Sequence, residues 1–132
     1  MRLKEQLTKD TPYITLYKFL LDLGIIPAVI LSKLIDADSY TYCRLSEDPA
    51  YFECTDTFIQ SELKLSSPTL RKYIDDFVDQ GFIFVRKIEK NGFKHRFIKL
   101  NEEKLLDKYK KFELTKYSED NDTADVFVYV KK

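Results

Sequence analysis

Asn91-Gly92 is the dipeptide most compatible with two successive positive φ angles, the requirement of a two-residue type I′ hairpin turn. It stands between Phe82–Lys90 and Phe93–Leu100, two runs rich in β-branched and aromatic residues. A turn there dictates one register: Lys90 opposite Phe93, Lys87 opposite Arg96, Val85 opposite Ile98 and Ile83 opposite Leu100. Side chains alternate across a strand, so Lys87, Glu89, Lys94 and Arg96 share one face. Arg86, Lys90 and His95 share the other with Phe84, Ile88, Phe93 and Phe97. The hairpin is apolar at its base and basic at its tip.

Helix signals precede it. Ser67-Pro68 follows the rule of a cap and then proline. Leu70, Ile74, Phe77 and Val78 continue one apolar face until Gly81 stops the helix. Upstream, Thr55 or Asp56 can cap a short helix over Thr57–Lys64, with Ile59 and Leu63 inward, and Leu65-Ser66 forms a tight turn. Tyr51–Cys54, behind Pro49, reads as a small strand. Nearer the N-terminus, Thr11-Pro12 predicts a helix over Tyr13–Leu23 ended by Gly24, and Pro27 opens another over Ala28–Ala37. Ser39–Pro49 reads as a loop. After the hairpin, Asn101 caps a helix to about Lys116, with Leu105, Tyr109 and Phe112 on its apolar face. Ser118–Asp125 is acidic and polar, a solvated linker, and Val126–Val130 is apolar enough to pair as an added strand with this or another chain.

From Tyr51 onward the order is strand, short helix, tight turn, helix, hairpin. This segment, Tyr51–Asn101, resembles the winged helix-turn-helix of small bacterial regulators and of plasmid or phage replication and conjugative-transfer proteins. The resemblance rests on the junction Leu63-Lys-Leu-Ser-Ser-Pro-Thr-Leu-Arg-Lys-Tyr-Ile and the helix exit Asp79-Gln-Gly-Phe-Ile. The chain departs from the family pattern where Lys64-Leu65 stands in place of a junction glycine, and in carrying Asp75, Asp76 and Asp79 late on the second helix. The expected fold is α+β and mostly helical. It comprises a winged helix-turn-helix domain over 1–117 (core 51–101) with a two-stranded wing, extra N- and C-terminal helices, and a tail over 118–132.

Charge supports the same region. The whole chain is neutral, with 22 basic and 22 acidic residues. Lys64–Leu100, however, holds nine basic against four acidic, a net +5 that the remainder balances. In the arrangement that the resemblance implies, the first helix braces the second, whose N-terminal half enters the major groove. Lys64, Ser66, Ser67, Thr69, Arg71 and Lys72 then meet bases or phosphates. Lys87, Lys90, Asn91, Lys94 and Arg96 follow the backbone or a narrow minor groove. One of the two serines also caps the helix, and Phe93 beside the turn reads as a hairpin packing residue, with a wedge between bases as the lesser alternative.

Catalytic and metal chemistry find no foothold. The three glycines each serve as a helix stop or a turn, leaving none for a phosphate-binding loop. His95 is the only histidine and suits surface or wing packing. Cys43 and Cys54 are spaced wrongly for a metal or redox pair and read as buried thiols in a reducing compartment. No apolar run is long enough to span a bilayer, and the charged start lacks a signal-peptide pattern. The expectation is a cytoplasmic double-stranded DNA-binding protein, neither an enzyme nor membrane-bound, without cofactor or metal, acting in replication, transfer or transcription regulation. The alternative is a protein-interaction module inside a replication or transfer complex. The apolar residues of 13–23 cannot share one stripe, which suggests a homodimer interface or a sandwich between helices of the same chain.

Overall fold

The computed structural model describes residues 13–61, 63–119 and 127–131. Its elements run β1 (Tyr13–Tyr17), a 3-10 segment (Lys18–Leu23), α1 (Ile25–Tyr40), β2 (Phe52–Glu53), α2 (Asp56–Gln60), α3 (Ser67–Asp79), β3 (Ile83–Lys90), β4 (Phe93–Leu100), α4 (Glu102–Glu119) and β5 (Phe127–Lys131). The architecture is α+β. A three-stranded antiparallel sheet ordered β2-β4-β3 packs with the helices, and β1 and β5 form a separate antiparallel pair.

The hairpin has the register expected from its turn. Lys90 pairs with Phe93, Lys87 with Arg96, Val85 with Ile98 and Ile83 with Leu100. Asn91 and Gly92 both have positive φ, 54° and 79°, the combination that lets a two-residue loop follow the twist of its strands. β2 adds to the other side of β4, with Phe52 opposite Ile98 and Glu53 opposite Phe97.

The helix predicted over Tyr13–Leu23 does not form. A strand and a 3-10 turn stand there. Tyr-Ile-Thr-Leu-Tyr is β-branched and aromatic, weak in helix propensity, and the pairing with β5 satisfies its backbone from Tyr13 opposite Lys131 to Tyr17 opposite Phe127. The Thr11-Pro12 helix start lies outside the described residues, as does the acidic stretch Ser118–Asp125 from residue 120 onward, while Ser118 and Glu119 belong to α4. β5 realises the added strand, paired within this chain.

α1 is the central helix. Ala28, Ile30, Leu31, Leu34 and Ala37 are buried, in one core with Leu20, Phe52, Ile59, Leu70, Phe77, Ile83 and Ile98. Two polar residues are buried on it as well. The Tyr17 N–H donates to Ser32 Oγ at 3.0 Å, and the Lys33 ammonium sits 4.4 Å from the centre of the Phe58 ring. The Tyr17 hydroxyl donates to Asp36 Oδ1 at 2.7 Å, fastening the end of β1 to the same helix. The apolar surplus of residues 13–23 is thus absorbed in part within the chain, where Leu16, Phe19 and Leu20 are buried.

α3 is bounded by local chemistry. Ser66 caps it, its Oγ accepting from Thr69 N at 3.3 Å, with Pro68 in the first turn. At the other end Gly81 takes φ 82° and the Phe82 N–H donates to Phe77 O at 2.9 Å, closing the helix with a left-handed residue as a glycine stop does. Asn101 then joins the two ends of the hairpin. Its Nδ2 donates to Gly81 O at 2.8 Å, while its Oδ1 caps α4 by accepting from Lys104 N at 3.2 Å.

Candidate functional site

α2 and α3 meet across a tight turn that Gln60 closes. Its Nε2 donates to Leu65 O at 2.7 Å and to Ser67 Oγ at 3.3 Å. This fixes the start of α3 relative to α2. The exposed side chains there are Lys64, Ser66, Thr69, Arg71 and Lys72, with Ser67 half-buried. Ser66 spends its oxygen on the cap. Leu70, Ile74 and Phe77 bury the opposite stripe.

The hairpin leans over the same region. A cleft of about 470 Å³ opens between α3, the β2–α2 junction and the strands, lined by Asp56, Arg71, Asp75, Lys87, Lys94 and Arg96 among others. Four of the basic residues singled out in the sequence therefore border one cavity, although Arg71 and Lys94 are far apart along the chain. Lys64, Ser66, Ser67, Thr69, Lys72, Lys90 and Asn91 do not line it. Lys90 and Asn91 stand at the exposed tip of the hairpin, and Lys72 is exposed on α3.

The four basic residues play unequal parts. Arg96 is turned inward, its side chain 13% exposed, with NH2 2.9 Å from Asp56 Oδ1 and Nε donating to Cys54 O at 3.0 Å. It braces β4 against the β2–α2 junction. Arg71 is 66% exposed and touches the second oxygen of the same carboxylate, Nε to Oδ2 at 3.3 Å. Lys87 and Lys94 are exposed. Asp56 thus organises both arginines from the first residue of α2. From the sequence Asp56 reads only as a cap, a task that Thr55 performs by accepting from Phe58 N at 3.1 Å. Its arginine partners lie 15 and 40 positions away, beyond the reach of any local pattern.

A second polar cluster locks the hairpin from its other face. The Cys43 thiol donates to Glu53 Oε1 at 3.0 Å, and His95 Nδ1 lies 2.6 Å from Glu53 Oε2. These hydrogen bonds hold the Glu53 carboxyl below the usual carboxylate range, against the opposing effect of burial. An ionised carboxylate only accepts, so the proton of this contact belongs to Nδ1. The hydrogen bond to Glu53, followed by some loss of hydration, raises the Cys43 thiol. Cys43 is exposed, contrary to the expectation of two buried thiols. Its loop runs beside the edge of β2, where Glu53 N donates to Cys43 O at 2.8 Å, leaving the side chain outward. Cys54 is buried as expected, and burial pushes its thiol up to about 11, with Arg96 pulling partly the other way.

Among the described residues no group of three or more His, Cys, Asp or Glu is placed to hold a metal ion, and no helix is long and apolar enough to cross a membrane. The chemistry on offer at the cleft is cationic hydrogen-bond donation from two elements, tempered by Asp56 and Asp75. Compared with family models, characterised proteins and solved structures, the chain has no significant match, so what this surface does is read from its own residues.

Proposed function

We propose that the chain binds double-stranded DNA as a winged helix-turn-helix, with α2 and α3 as the helix pair and β3–β4 as the wing. The observation that carries this is the convergence of α3 and the hairpin on one basic cleft. Arg71 at the front of α3 and Lys87 and Lys94 on the hairpin present cations across a gap, a geometry suited to a duplex that meets two elements at once. Phosphates answer to lysine charge and to the free N–H groups at a helix start. A guanine edge answers to the paired donors of an arginine. Lys64, Thr69 and Lys72 widen the contact along the helix, and Lys90 and Asn91 extend it at the wing tip. Asp75, Asp76 and Asp79 repel the backbone from the rear of α3, so the helix enters by its N-terminal half.

On this reading the protein binds rather than catalyses and works in the cytoplasm. The resemblance of 51–101 points to replication or transfer of a plasmid or phage, or to transcription regulation. The test is a titration against a duplex that the protein itself selects from a random pool, and against scrambled DNA, at two salt concentrations. Lys94→Ala lowers the log–log salt slope by about one, and Arg71→Ala relaxes sequence preference by about 1–3 kcal/mol. Binding unchanged in both variants removes this surface from the contact.

A second reading is a protein-interaction module, and one observation favours it. Ile25, Ile26, Leu106 and Leu114 are exposed apolar residues, and none of them lines the cleft. They also suit a homodimer that sets two half-sites on one DNA. Sedimentation of the free protein, and absence of binding to either DNA, would separate these outcomes.

A further inference from the structure

Phe93 follows the hairpin turn directly, and its side chain is 71% exposed. A ring so open packs on little within the hairpin, which leaves the wedge, the lesser of the two roles expected from its place beside the turn. Its cross-strand partner is Lys90, and Lys90, Asn91 and Lys94 around it are all exposed. The turn is open: a Cβ added at Gly92 would meet no atom within 4 Å beyond those of its two chain neighbours. The phenyl is thus an exposed apolar group at the hairpin tip, on the face of Lys90, while Lys94 beside it lies on the opposite face, the one that borders the cleft.

The arm is stiff. Eight residue pairs run from Ile83–Leu100 to Lys90–Phe93, and Ile83, Ile98 and Leu100 bury the base. His95 is held by Glu53, and Arg96 by Cys54 O and Asp56. A rigid support matters because a group that parts two stacked bases must resist being folded back by them. The neighbours on the face of Phe93 are Lys90, a half-buried Ile88 and a half-buried His95. A protein partner would meet no continuous apolar patch there. A duplex offers a polyanion for the lysines and an apolar stack for the ring.

We infer that Phe93 is a wedge that enters a base step of the bound duplex and bends it; this rests on the DNA-binding reading above. Apolar side chains inserted from the minor groove unstack a step and kink the helix, and the bend brings more backbone onto the protein. Flexible pyrimidine–purine steps yield most easily, so TA-containing duplexes are preferred.

The experiment uses the full chain and a mixed-sequence duplex of about three helical turns with a central TA step and fluorescent donor and acceptor at its ends. Binding is read by anisotropy and bending by energy transfer. Wild type shortens the end-to-end distance, and Phe93→Leu retains the bend because leucine also wedges. Phe93→Ala, whose exposed position leaves the fold intact by circular dichroism, still binds, within about ten-fold of wild type, but leaves the duplex straight. Lys94→Ala weakens binding while the bound duplex stays bent. The inference is overturned if wild type binds without bending, or if Phe93→Ala bends the duplex as wild type does. If wild type binds no duplex at all, the DNA-binding reading itself falls.

Discussion

Glu53 shows how one side chain can tie three segments through its charge. It accepts from Cys43 in the loop before β2 and from His95 on β4, and both contacts favour its ionised form. A carboxyl whose folded value lies below the ordinary 4.5 adds stability that is complete above that value and is lost as pH falls through the folded one. The contribution of the Glu53 carboxylate, read as the stability gap between wild type and Glu53→Gln, is therefore lost as pH falls below the ordinary carboxylate value. Urea unfolding at stepped acidic pH checks this, and a gap that persists undiminished well below that value contradicts it. The same contact governs the thiol. With Glu53→Ala, Cys43 loses the acceptor that keeps its proton and reacts faster with a disulfide reagent at mildly alkaline pH. Cys54, buried and raised to about 11, reacts only on unfolding.

Among the elements, α3 has ends set by short-range chemistry and a position set by long-range contacts. Ser66 supplies the cap, so Ser66→Ala costs about 1 kcal/mol, while Ser67→Ala, which removes only an acceptor for Gln60, costs less. Chemical denaturation of the two variants ranks them, and equal losses would move the cap. The hairpin is similar: the Asn91-Gly92 turn defines its pairing, but its lean towards α3 depends on Arg96 and Asp56. β1 shows the opposite balance. Its residues carried a helix start at Thr11-Pro12 and a stop at Gly24, and a partner strand more than 100 positions away in the chain prevailed.

For the whole molecule, α1 is the hub, since its buried residues join one core with the 3-10 segment, β2, α2, α3 and both strands of the hairpin. Leu34 lies fully inside it, and Leu34→Ala costs about 3 kcal/mol in lost transfer energy and cavity. Unfolding remains a single transition, with backbone dichroism and tyrosine fluorescence coinciding; separate transitions would show that the hairpin and the N-terminal elements fold apart. Sequence alone determined what depends on neighbours in the chain: the hairpin and its register, the caps and stops of α3, and the concentration of positive charge over 64–100. Those features follow from φ preferences, capping and alternation, which act over a few residues. Only the tertiary structure decided which cations share a cleft, that Arg96 turns inward to Asp56 while Arg71 stays open, that Cys43 faces outward, and that residues 13–17 form a strand. Each of these depends on a partner that folding brings from a distance, and no local pattern encodes that distance.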